Sequence, residues 1–304
     1  MYRFWESIKK GSLVIRGMEV TIIGLGLIGG SLAMALRQNG FATHIIGVEN
    51  NEEHGEQALE LGLADEVLPL DEAISKGEMI IIAISVDAAR KLLPEILDQI
   101  NESQTVMDMG STKAGICSVV ENHPNRKNYV AAHPIAGTEN TGPKAAINNL
   151  FFHKVAIICE KEKSGEQQLA LAEQLFRSLF MKLVYMAAKE HDLHAAYVSH
   201  LSHISSFTLG LTVLDIEKDE QNIFNLAGSG FASTVRLAKS SPEMWAPIFE
   251  QNAEYLSDAL DTYIKWLTKF KKLIDSKQKN EVEELMRQAN DVGRILDGIE
   301  LGEK

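Results

Sequence analysis

The stretch MEVTII runs directly into GLGLIGGSLAMAL at residues 24–36. An apolar, β-branched segment, a glycine cluster and an alanine- and leucine-rich segment in that order read as strand, tight turn and helix. The glycines fall as Gly24-x-Gly26-x-x-Gly29. That spacing fits the dinucleotide fingerprint: the first glycine allows the turn, the second lets backbone approach a pyrophosphate, and the third lets helix and strand pack closely. The helix N-terminus then offers free N–H groups and a positive dipole end to the phosphates. A chain that begins this way is committed to a βαβ unit and a parallel sheet.

The rest of the first half agrees. Strand candidates stand at 19–24, 44–49, 79–84, 105–110, 129–133, 155–160 and 182–186. Several are apolar without alternation, as strands buried on both faces must be. Helical patterns lie between them at 29–39, 52–61, 87–100 and 165–180. This alternation predicts a doubly wound, mainly parallel sheet, with later strands adding an antiparallel edge. After residue 188 only helical patterns remain, at 189–215, 243–274 and 279–297, broken by the glycines of NLAGSGFAST at 225–234. The expected organisation is an amphipathic N-terminal arm (1–17), a Rossmann-type nucleotide-binding domain (18–187) and an all-α domain (188–304).

Composition bounds the partners. The 304-residue chain carries a net charge of −12. That disfavours nucleic acid or an anionic membrane, both of which are bound by basic surfaces. A small anionic substrate needs only a few local cations and stays allowed. The N-terminus lacks a signal-peptide pattern, and no run of about 18 apolar residues occurs, so no membrane span is expected. Two cysteines without CxxC spacing fit a reducing compartment, the cytoplasm.

Glu49 closes the second strand. A carboxylate there accepts hydrogen bonds from the adenosine ribose hydroxyls and repels a 2′-phosphate, and no arginine follows it in NNEEH; the preference is for NAD over NADP. Leu27 and Ile28 in the turn and Ser85 after the third strand join Gly24, Gly26, Gly29 and Glu49 as candidate cofactor contacts.

A fingerprint names a cofactor, not a reaction. Three stretches carry candidate chemistry. MDMGSTKAG (107–115) lies at the C-terminal end of a strand, where open sheets bind ligands. Ser111 and Thr112 could serve a site there or cap the next helix, and Lys113 could act there or be a solvated charge. AAHPIAGTENTG (131–142) puts His133 after an apolar strand and before a glycine-rich loop. His133 suits a general base near neutral pH, or is a packed histidine bonded to backbone; Thr138 and Glu139 are substrate contacts or loop residues. KEHDLHAAYVSHLSHISSF (189–207) places Leu193, Ala196, Tyr197, His200, Ile204 and Phe207 on one helical stripe with His203 at its border, so His200 and His203 are expected to face inward. A zinc reading of its four histidines lacks HExxH, an acidic ligand at the right spacing and a nearby cysteine. Further on, Arg236 is a candidate carboxylate clamp through its bidentate fork, or a surface arginine with its stem on apolar neighbours.

With these residues in view, the sequence resembles the prephenate and arogenate dehydrogenases of tyrosine biosynthesis, from about residue 18 to about 290. The resemblance rests on GLGLIGGSLAMAL, GSTKAG, HPIAGTENTG, HDLHAAYVSHLSH and FASTVRLAKSSPEMW. It implies an NAD-binding Rossmann domain, a helical domain that forms a homodimer, and oxidative decarboxylation of prephenate to 4-hydroxyphenylpyruvate, the alternatives being an arogenate dehydrogenase that gives tyrosine directly or a non-catalytic NAD-binding protein. It further implies that His133 hydrogen-bonds the ring hydroxyl, that Ser111 orients that hydroxyl and the histidine, and that Arg236 binds a substrate carboxylate. His203, with His200 nearby, would line the substrate pocket, and Thr138 and Glu139 would stand at the substrate or tyrosine site. Tyrosine is an expected feedback inhibitor because product resembles substrate. The chain departs from some relatives in having no stretch long enough for a fused chorismate mutase and no strand-rich regulatory tail. FAST also supplies no acidic residue just before Arg236.

Overall fold

A computed structural model describes residues 17–217 and 223–293, with the side chains of 217 and 224 outside the description. The expected N-terminal arm, apart from Gly17, lies outside the described residues. The chain divides into two compact units, Met1–Ala253 and Glu254–Lys304.

The first unit is built on an eight-stranded sheet: β1 (Met18–Ile23), β2 (Ala42–Val48), β3 (Glu66–Val67), β4 (Met79–Ile82), β5 (Thr105–Asp108), β6 (Tyr129–Pro134), β7 (Val155–Cys159) and β8 (Lys182–Met186). Their spatial order is β3-β2-β1-β4-β5-β6-β7-β8. The first six strands are parallel; β7 runs antiparallel to β6, and β8 is parallel to β7. The expected antiparallel edge is therefore present.

The unalternating apolar runs are explained by burial on both faces. Ile22, Leu32, Leu36, Ile81 and Met107 belong to one core cluster, whereas Ile23, Ile80, Ile82, Val106 and Leu93 belong to the other. Helices α1 (Leu27–Gln38), α2 (Glu52–Glu60), α3 (Leu70–Lys76), α4 (Val86–Gln99), α5 (Ala114–Ser118) and α6 (Glu166–Ser178) connect the strands. Two of these, α3 and α5, and the two-residue β3 are absent from the sequence-based expectation, each being too short to set up a period.

Helix α7 (Ala188–Ala195), a π turn (Ala196–His200) and α8 (Leu201–Glu217) follow without a break. The wider π turn inserts one residue into the helical period. It corrects the expected stripe: Leu193 and Tyr197 are exposed, and His191, Asp192 and Ala195 are buried in their place. His200 stays inward, 1% exposed. The glycine segment holds α9 (Ser229–Thr234), and α10 (Pro242–Gln251) follows. The expected long helix over 243–274 is divided at Asn252, after which α11 (Ala253–Asp275) begins. The second unit continues from α11 into α12 (Lys279–Ala289); the end of the run expected to 297 lies outside the described residues. No described helix is long and apolar enough to cross a membrane.

Candidate active site

The C-terminal ends of β1, β2, β4, β5 and β6 converge on one side of the sheet, and the candidate residues follow them. Gly24 ends β1 at φ +90°, and a Cβ on it would stand 2.6 Å from the Ala83 carbonyl oxygen. A Cβ on Gly29 would stand 1.9 Å from the carbonyl oxygen of Gly24. Neither position accepts a side chain, so the turn and the tight helix–strand contact both depend on glycine. Gly26 flanks α1 with no side-chain cap, and the first turn of α1 carries no acidic residue. Leu27 and Ile28 lie in that first turn and pack partly buried against the core. Uncapped N–H groups at a helix N-terminus are an anion site. Glu49, just past β2, accepts from the backbone N–H of Leu25 (3.3 Å) and of Asn51 (3.2 Å), which places its carboxylate at the glycine turn. Ser85 stands half-buried at the start of α4. This glycine turn, open helix end and strand-end carboxylate fit a dinucleotide.

His133 sits in β6, half-buried, opposite Ile157 of β7. Its Nδ1 lies 2.8 Å from Nε2 of His191 in α7. His191 Nδ1 in turn lies 2.7 Å from Asp192 Oδ1. Burial, reinforced by His191, Lys113 and His200, pushes His133 well below the ordinary histidine value. The ring is therefore held neutral, as a base must be.

Asp192 does a second job. Its carboxylate accepts the backbone N–H of Lys113 (2.7 Å) and of Ala114 (2.8 Å), the start of α5. Neither Ser111 nor Thr112 caps that helix, which corrects the capping alternative: the cap comes from a residue far away in sequence. Thr112 instead donates its hydroxyl to Gln251 (3.0 Å). Ser111 is half-buried at the end of β5 and, among the described residues, makes no hydrogen bond to His133.

Lys113 is not a solvated charge. Its side chain is fully buried, paired with Asp108 Oδ2, and donates to the Ala132 carbonyl (2.6 Å), the backbone immediately before His133. Asp108 also accepts from the Tyr129 hydroxyl (2.6 Å) and the Gly110 N–H (2.9 Å). The sequence signal for this cluster is an aspartate ending an otherwise apolar strand, a charge that demands a partner when buried.

The helix histidines surround Trp245 of α10. His203 stacks on its ring (3.4 Å between centroids) and His200 meets it edge-on (5.9 Å). Asn252 Nδ2 donates to the Asp192 carbonyl (2.7 Å) and to His200 Nδ1 (3.0 Å). Burial pushes His200 down to about 4, and lowers His203 as well. Among the described residues, no group of three or more His, Cys, Asp or Glu side chains is gathered as a metal-ligand set. In the loop after β6, Thr138 Oγ1 accepts from the Asn140 N–H (3.2 Å). Glu139 pairs with Arg236 at 3.0 Å. Arg236 opens a short 3-10 turn and is half-exposed, so its fork has room for a further anion. The carboxylate partner missing from FAST is thus supplied by the loop.

Of the residues singled out from sequence, the structure joins His133 to the helix histidines through His191 and Asp192, and joins Arg236 to Glu139. Asp108, His191, Asp192, Trp245 and Asn252 complete the arrangement and were not among the sequence-based site residues, and Lys113, left open between a site role and a solvated charge, joins them as a buried cation.

The sequence profile of the prephenate dehydrogenase nucleotide-binding domain matches residues 32–185, and that of the prephenate dehydrogenase dimerization domain matches 187–288. The chain is 28% identical over 288 residues to the prephenate dehydrogenase of Bacillus subtilis, covering 94% of this chain and 77% of that protein. Its fold superposes with TM-score 0.84 on the A. aeolicus prephenate dehydrogenase in complex with hydroxyphenyl propionate and NAD+, at 30% identity, covering 94% and 99% of the two chains. It superposes with TM-score 0.70 on the Synechocystis arogenate dehydrogenase, at 28% identity and 90% and 98% coverage. The chain belongs to the prephenate dehydrogenase family.

Proposed function

We infer that this chain catalyses the NAD-dependent oxidative decarboxylation of prephenate to 4-hydroxyphenylpyruvate. The observation that carries the reading is His133, tied through Nδ1 to the buried His191, at the end of a strand in the same sheet whose β1 turn fits a dinucleotide. The functional division proposed is 18–187 for the nucleotide and 188–304 for substrate and dimerisation. Gly24, Gly26, Leu27, Ile28, Gly29, Glu49 and Ser85 would hold the cofactor. When bound, NAD+ accepts the hydride that leaves the ring carbinol carbon.

His133 takes the hydroxyl proton at Nε2, the nitrogen not committed to His191. Ser111 orients the same hydroxyl. Loss of the ring carboxylate as carbon dioxide restores an aromatic ring, and the borrowed proton returns to the phenol oxygen. The step therefore releases no net proton. His203, stacked on Trp245, and His200, edge-on to it, form a neutral wall for the ring. Arg236 binds a substrate carboxylate, with Thr138 and Glu139 beside it. Glu139 already spends its charge on Arg236, so the keto side chain of prephenate fits better there than the ammonium of arogenate. A cytoplasmic homodimer inhibited by tyrosine completes the reading. The dimerization-domain profile and the two buried free cysteines support the assembly and the compartment respectively.

Two outcomes test it. The acidic limb of kcat/KM lies below pH 6.5, because the lowered His133 remains a base down to acidic pH and stops accepting protons only beneath its own value. A limb at or above 6.5 in a pH–rate profile removes His133 as that base. Arg236→Ala raises KM for prephenate by roughly 10- to 100-fold, with a smaller fall in kcat, since the carboxylate contact is shared by ground and transition states. Steady-state kinetics showing an unchanged KM would sink the clamp assignment.

A further inference from the structure

We propose that His191 and Asp192 are positioning residues that fix the tautomer of His133 so that its Nε2 faces the substrate as an acceptor. The inference rests on the reaction assigned above, because it concerns how His133 is made a base.

Three distances carry it. Asp192 Oδ1 accepts the Lys113 N–H at 2.7 Å and lies 2.7 Å from His191 Nδ1, while Oδ2 accepts the Ala114 N–H at 2.8 Å. Two fixed backbone donors lock the orientation of this carboxylate. A carboxylate offers only lone pairs, so His191 must present its Nδ1–H to it. In the neutral His191 ring that the proposal assigns, Nε2 is then the acceptor in the 2.8 Å contact with His133 Nδ1. His133 then carries its proton on Nδ1, and its remaining nitrogen, Nε2, is the free lone pair. Lys113 strengthens the arrangement from the backbone side, because its ammonium holds the Ala132 carbonyl while its own N–H holds Asp192. Both ends of the His133–His191 contact are thus tied to one short segment after β5. His191 and Asp192 are 1% and 2% exposed, so these bonds are shielded from bulk solvent. The pair acts through His133 and does not touch the reacting atoms. This is the orienting role that a carboxylate-backed hydrogen bond plays for a catalytic imidazole.

The test combines a spectrum with a kinetic split on the full chain. In ¹⁵N-histidine-labelled protein, the His133 resonances (assigned by their loss in His133→Asn) show a protonated Nδ1 and an unprotonated Nε2. In His191→Leu this tautomer is lost, kcat for prephenate falls about 100-fold, and KM changes less than threefold. In His191→Gln the amide oxygen reaches the Nε2 position and accepts from His133, and kcat returns to within about tenfold of the parent. A protonated Nε2 on His133 in the parent protein overturns the proposal. So does an unchanged tautomer in His191→Leu, or a kcat in that variant within threefold of the parent. Should His191→Leu not fold, the parent spectrum and His191→Gln carry the test. The spectrum needs no turnover, so a parent chain inactive on prephenate would overturn the assigned reaction while the tautomer result is read on its own.

Discussion

His133→Asn is expected to lower kcat by about 10²–10⁴-fold, the usual contribution of positioned acid–base catalysis, with KM for prephenate altered by no more than a few-fold. Asparagine is close in size, and its amide can still donate toward His191 Nε2, which lies 2.8 Å from the native Nδ1. The fold around β6 therefore survives. What disappears is a nitrogen that can take up and return a proton. Because the loss falls on the chemical step, kcat and kcat/KM drop together, the signature of an interaction made in the transition state. Added imidazole, as an external base, should recover part of the rate. A variant retaining more than a tenth of the parental kcat would show that another group accepts the hydroxyl proton.

The second large effect is on stability. Lys113 and Asp108 are both 0% exposed and paired. Lys113→Ala leaves the Asp108 carboxylate with only the Tyr129 hydroxyl and the Gly110 N–H. Removing one partner of a buried pair costs about 3–5 kcal/mol, because the other charge is left without compensation. Removing both charges with similar volume is often close to neutral. The double variant Asp108→Asn/Lys113→Met should therefore be more stable than Lys113→Ala, although it deletes more polar contacts. Urea unfolding of the three proteins measures this directly. A cost below about 1 kcal/mol for Lys113→Ala would mean that the pair contributes little. The same substitution frees the Ala132 carbonyl next to His133, so a fall in kcat accompanies the loss of stability.

Much of the fold was legible in the chain because of one physical circumstance. Strands covered on both faces must be apolar throughout, and runs such as MIIIAI and TVMDMG cannot be confused with amphipathic helices of ordinary length. The glycine turn was equally readable, since Gly24 and Gly29 occupy positions where any Cβ collides with backbone. Local pattern fails where a distant partner decides. The helical stripe through Leu193 and Tyr197 assumed an unbroken 3.6-residue period, and the π turn at Ala196–His200 rotated those residues outward. The interruption at Asn252 is invisible in a run of good helix formers, because its side chain is claimed by Asp192 and His200. Ser111 and Thr112 looked like caps because caps are usually local. Asp192, 79 positions after Lys113, performs that role instead. Likewise, Lys113 is a buried cation only because Asp108, five positions earlier, lies buried on β5 beside it.

The most direct test of the account is a spectrophotometric assay of the purified chain at the NADH absorbance maximum. NAD+ or NADP+ is offered with prephenate or arogenate, and products are identified by chromatography. The account predicts NADH formation with prephenate, 4-hydroxyphenylpyruvate as the product, and a clear preference for NAD+ over NADP+ because Glu49 stands at the glycine turn. Turnover with arogenate alone would contradict the substrate assignment, and no turnover with either substrate would contradict the assigned reaction.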